Sequence, residues 1–120
     1  MTLEAGYNLN YDVATKVMDW SVELIVNPVG TNFEEWRDSQ GWRYGSTPPP
    51  FSTEIEWAWK VVEHMHGMGH HLMLWFDDVS GTHPQWGARF PRLLTGRHET
   101  HEADTAPLAI CLAALAAVAS

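Results

Sequence analysis

The residues of this 120-residue chain best suited to chemistry are its seven histidines, His64, His66, His70, His71, His83, His98 and His101. Imidazole is a common transition-metal ligand and a proton carrier near neutral pH, so the run HMHGMGHH invites a metal reading. Spacing argues against it. On a helix His64 and His66 point to different sides, and Gly67 and Gly69 break the face. On a strand, His98 and His101 send their rings to opposite faces. No HExxH occurs. The carboxylates Asp77, Asp78, Glu99, Glu102 and Asp104 show no separation that selects a general acid and its base, and Asp77 with Asp78 reads as a turn. The sequence contains no GxSxG, no P-loop and no GxGxxG after a strand. The expectation is a protein without catalytic residues, metal or cofactor, with a histidine-dependent metal enzyme as the last alternative.

Binding without chemistry is better represented. Three of the five arginines, Arg89, Arg92 and Arg97, fall close together. Planar guanidinium groups suit a small anionic ligand. Ser52 and Thr53 stand at an expected helix start, where hydroxyls and unpaired amides favour negative charge. Trp42, Tyr44 and Trp86 are aromatic platforms on which a base can stack. The candidate ligand-binding set is thus Arg89, Arg92, Ser52, Thr53, Trp42, Tyr44 and Trp86. Each has a plainer explanation: helix starts need caps, Trp86 and Trp59 suit a core, and Arg97 after Gly96 suits a solvated turn.

Composition bounds the partners. A formal net charge of −8 opposes extended contact with a phosphate backbone, which argues against nucleic acid. Hydrophobic residues make up 45% of the chain and seven are tryptophan, enough for one folded domain over residues 1–120. The single cysteine, Cys111, rules out a disulfide framework and fits a reducing cytoplasm. The N-terminal residues lack the pattern of a secretory signal, and the apolar run 106–119 is too short for a membrane span. That run reads as amphipathic.

Several elements must position these residues. Val13, Val17, Met18 and Trp20 predict a first helix over 11–20 capped by Asn8 or Asn10, followed by an edge strand over 22–26. The stretch 31–50, rich in Gly, Asp, Ser and Pro around Phe33, Trp36, Trp42 and Tyr44, reads as a long loop and candidate binding element. Thr53 and Glu56 form a capping box for a second helix over 53–66, which Gly67 and Gly69 end. Strands follow over 71–76, 85–90 and 97–103, with Asp77, Asp78, Ser80 and Gly81 making one turn and Thr95 and Gly96 another. Asp104 or Thr105 then caps a last helix in which Pro107 sits near the start. The order is α-β-α-β-β-β-α.

The runs PPPFSTEIEWAWKVVE (48–63), WGARF (86–90) and EADTAPLAICLAALAAV (102–118), with ATKVMDW (14–20), resemble the phage ABA sandwich domain family. The resemblance spans most of the chain in the family's order and departs from it at 27–45 and in the histidine-rich run. It implies an α+β fold, an antiparallel sheet sandwiched between helices, and brings no catalytic motif. With phage origin so implied, the expected activity is non-enzymatic capture of a small nucleotide-derived signal of a bacterial host. A cyclic nucleotide or an ADP-ribose derivative is the kind of ligand meant. The expected form is a symmetric homo-oligomer in the host cytoplasm, without nucleic-acid or membrane partners. The alternative is an interaction module that inhibits or recruits a host protein.

Overall fold

The computed structural model describes residues 4–77, 85–91 and 100–119. Helix α1 (Tyr7–Asp12) runs into a π-helical turn over Val13–Val17, with Gly6 as its N-cap at φ 132°. Asp19, in the left-handed region at φ 58°, turns the chain into β1 (Ser21–Val26). The first helix therefore begins four residues earlier than its apolar periodicity suggests. Asn10 lies inside it and does not cap it. Its side chain is turned inward to accept hydrogen bonds from a segment far along the chain.

Residues 31–50 are not the long loop expected. They supply β2 (Asn32–Arg37) and β3 (Arg43–Gly45), which with β1 make an antiparallel sheet in the order β1-β2-β3. Adjacent Glu34 and Glu35 hide the alternation. Glu34 accepts from the Trp36 indole and from the Tyr7 hydroxyl, while Glu35 on the other face pairs with Arg37 at 2.8 Å and Arg43 at 3.6 Å. Both carboxylates thus have partners, Glu34 from α1 and its own strand and Glu35 from its own strand and β3, and Trp36 is fully buried on the Glu34 face. Asp38 closes the β2–β3 turn by accepting the amides of Gln40 and Trp42.

Helix α2 (Ile55–Gly67) starts one turn after the proline run, with Glu54 at the cap position and no side-chain cap. The expected box of Thr53 and Glu56 does not form, because Thr53 and Glu54 both donate their amides to the Pro50 carbonyl. Strands β4 (Met73–Asp77), β5 (Gln85–Arg89) and β6 (His101–Ala103) form a second antiparallel sheet in that order. Helix α3 (Ala106–Ala119) follows, and the Thr105 hydroxyl accepts from the Leu108 amide at 3.3 Å as its N-cap. The α+β class is as expected, with the strands divided between two sheets.

Helix α3 organises the core. It packs against β5, β6, α2 and the π-helical turn, and its alanines allow close approach on more than one side. It carries no charged residue, so the amphipathic reading of 106–119 gives way to a helix apolar all round and covered on several faces. Cys111 is fully buried there, and burial pushes its thiol up to about 12. One cluster joins Leu9, Val13 and Val17 to Trp36, Phe51, Val61, Met65, Ala88 and Ile110. No helix among the described residues is long and apolar enough to cross a membrane.

Candidate functional site on the second sheet

Strand register decides which candidate residues can act together. Met73 lies opposite Arg89 and Trp75 opposite Gly87, while Leu74 faces Ala88 and Phe76 faces Trp86. On β6, Glu102 is opposite Gly87 and Ala103 opposite Trp86. Alternation therefore places Leu74, Trp86, Ala88 and Ala103 on one face and Met73, Trp75, Gly87, Arg89 and Glu102 on the other. The first face is the one under α3, where Ala88 and Ala103 are buried.

The second face carries the chemistry. Gly87 has no side chain, and the Trp75 indole occupies the space a Cβ would need. Glycine thus lets the ring lie against the sheet. The Arg89 guanidinium sits 5.8 Å from the Trp75 ring centre, and its Nε–H reaches the Met73 sulfur at 3.2 Å. A cation held beside an indole keeps its remaining N–H groups available to an anion while its plane is oriented by the ring. Among the described residues no carboxylate forms an ion pair with Arg89. Met73 and Glu102 are exposed at the margin of this face.

The other candidates are not gathered here. Trp86 is on the opposite face, half-buried and tilted against Phe76 at 5.1 Å, so it belongs to the packing under α3 and is no platform for Arg89. Tyr44 joins a cluster on the first sheet, edge-on to Trp20 at 5.4 Å and to Trp57 at 5.3 Å, with Phe51 behind them. Burial and nearby Glu54 raise its hydroxyl above the usual range. Trp42, 72% exposed at the β2–β3 turn, belongs to the same sheet. Arg92 and Arg97 lie outside the described residues.

Ser52 corrects the sequence reading most sharply. It is fully buried; its amide and hydroxyl both donate to Asn10 Oδ1, at 2.8 and 2.7 Å, and its Oγ accepts the Gly6 amide at 2.9 Å. Thr53 is exposed, yet its amide is held by Pro50. The Ser52 groups and the Thr53 amide proposed to cradle an anion at this helix start are already paired within the fold. The Ser52 bonds pin α1 to the chain entering α2.

The histidines do not assemble a metal centre among the described residues, where no three His, Cys, Asp or Glu side chains come together. His66 and His71 meet edge to face at 4.9 Å across the end of α2. His83 and His98 lie outside the described residues, as do Asp78, Ser80, Gly81, Thr95, Gly96 and Glu99.

Sequence reasoning missed Trp75. Its signal was the alternation that placed Met73 and Trp75 away from Leu74 and Phe76, but only the register with Gly87 turns that into a platform.

Comparison with known proteins agrees with this architecture. A crystal structure of a phage protein from Bacillus cereus ATCC 14579 superposes with a TM-score of 0.62 at 24% identity, over 97% of this chain and 94% of that one, a likeness of fold. No curated protein matches. The family model described as the phage ABA sandwich domain matches residues 12–115, and the chain belongs to that family.

Proposed function

We propose that this phage-family protein is a non-enzymatic binder of a compact anionic ligand bearing an aromatic base, of the nucleotide class, on the outer face of its second sheet. The observation that carries the reading is the Arg89 guanidinium beside a Trp75 ring seated on Gly87. Trp75 and Met73 would take the base by stacking, and Arg89 would take a phosphate through charge-assisted hydrogen bonds. A net charge of −8 disfavours long polyanions while a single oriented guanidinium accepts a small one. Acting in the cytoplasm of an infected bacterium, such a protein would sequester a nucleotide-derived host signal, a cyclic nucleotide or an ADP-ribose derivative among them. Calorimetric titration with AMP, ADP-ribose and cyclic dinucleotides tests this. Arg89→Ala is expected to weaken the best ligand by about tenfold or more, and Glu102→Gln to tighten it by removing a like charge near the phosphate. Equal affinity of Arg89→Ala and the parent for every nucleotide, with the fold preserved, overturns it.

The second reading, an interaction module for a host protein, draws on the exposed apolar side chains Leu24, Val26 and Val29 of the first hairpin. Native mass spectrometry of protein purified from host lysate separates the two. Retained nucleotide mass supports the first, and a bound host polypeptide supports the second.

A further inference from the structure

The first sheet reaches beyond the core that stabilises it. Val22 and Trp36 are paired across β1 and β2, and Trp36 is fully buried. Further along the same face, Leu24 and Val26 are 60% and 68% exposed. The chain is correspondingly drawn out, with extents of 56 × 36 × 26 Å and a radius of gyration of 15.8 Å. A compact chain of this length would have about 14 Å.

Strand β1 is also an edge, paired among the described residues with β2 alone. The Asn27 amide bonds to the Thr31 carbonyl at 3.2 Å, in the same register as the rest of the hairpin. Antiparallel alternation then directs the backbone groups of Ser21, Glu23 and Ile25 toward β2, and those of Val22, Leu24 and Val26 outward. Edge protection is slight: the strand SVELIV has one charge, Glu23, and no proline, no lysine and no bulge in its pairing with β2.

We propose that the occupant of this edge is a second copy of the chain, its β1 paired antiparallel to the first about a two-fold axis through Leu24. Self-complementarity selects the occupant and the register. With Leu24 on the axis, Val22 meets Val26 of the other copy, Leu24 meets Leu24, and every outward amide and carbonyl of these three residues acquires a partner from strand residues. The apolar rows Val22, Leu24 and Val26 of the two β1 strands become continuous. Glu23 falls opposite Ile25, whereas an axis through Glu23 would set two carboxylates directly against each other. An axis through Ile25 would draw Pro28, which has no amide to donate, into the pairing. The inference stands independently of the ligand reading, which concerns the other sheet.

Sedimentation and light scattering of the whole chain across the micromolar range test it. The parent is expected to dimerise, more tightly in higher salt, because two acidic chains meet with their Glu23 side chains as diagonal neighbours. Leu24→Lys is expected to weaken the dimer by more than about tenfold with an unchanged circular dichroism spectrum, since Leu24 is exposed in the single chain. Phe76→Lys, an exposed position on the second sheet, should leave it unchanged. Register is read by crosslinking: Leu24→Cys should form a disulfide-linked dimer under mild oxidation, and Val26→Cys, whose counterpart is Val22, should not. A parent that stays monomeric, including one whose edge is taken by a host strand, overturns the proposal. So does a dimer indifferent to Leu24→Lys, or one crosslinked through Val26→Cys in preference to Leu24→Cys.

Discussion

Single side chains with more than one partner carry much of this fold's specificity. Asn10 Oδ1 accepts two hydrogen bonds from Ser52, and Ser52 in turn accepts the Gly6 amide. Asn10→Ala would strand the Ser52 amide and hydroxyl in a buried site and should cost about 1–3 kcal/mol, read by urea denaturation. Gly87 is the opposite kind of position, defined by what is missing. Gly87→Ala puts a methyl group where the Trp75 indole lies, so either the ring leaves the sheet or the strands part. A loss of about 1–3 kcal/mol is expected, with a red-shifted tryptophan emission if the ring swings into water. Tyr7 provides a pH signature. Its hydrogen bond to Glu34 pushes its hydroxyl up to about 12 from an ordinary value of 10.0, so the folded state holds the proton longer than the unfolded chain. That stabilisation is complete below pH 10.0 and is lost as pH rises through about 12. Melting temperature should fall more steeply over that interval in the parent than in Tyr7→Phe.

At the scale of elements, legibility followed how local the determining interactions are. Helix α3 was readable because its cap and its first turn are adjacent in sequence, and Thr105 caps Leu108 as the spacing suggests. Thr105→Ala should lower stability by about 1 kcal/mol, measured as a shift in the denaturation midpoint at constant slope. Strands β4 and β5 were readable from alternation, which survives on a sheet with one packed face. Strands β2 and β3 were not. The pairs that sort Glu34 from Glu35 come from Tyr7, Arg37 and Arg43, so the alternation is set by neighbours and not by hydropathy. The start of α2 misled for a related reason. Ser52 has the right type for an exposed cap, but its partner stands 42 positions upstream. The site was legible in part: Arg89 is on an open face, while the ring beside it is Trp75, whose pairing with Gly87 depends on strand register.

At the scale of the molecule, the two small sheets, each of three strands among the described residues, would be marginal alone, and a shared set of side chains makes them interdependent. Trp36 comes from the first sheet, Phe51 from the chain between the sheets, Ala88 from the second, and Ile110 from α3, all within one buried cluster. No sheet can lose its packing without exposing side chains that the other elements also cover. Unfolding should therefore be a single cooperative event despite the elongated outline. Urea transitions followed by far-ultraviolet circular dichroism, which reports the helices, and by tryptophan emission, which draws on both sheets, should coincide. Trp36→Ala should destabilise by about 3–5 kcal/mol and still leave the two transitions superimposed, because the cavity opens in a core common to both halves. Separate midpoints in the parent, with emission changing before the helical signal, would mean that the first sheet unfolds independently of α3 and that the cluster is two cores in contact.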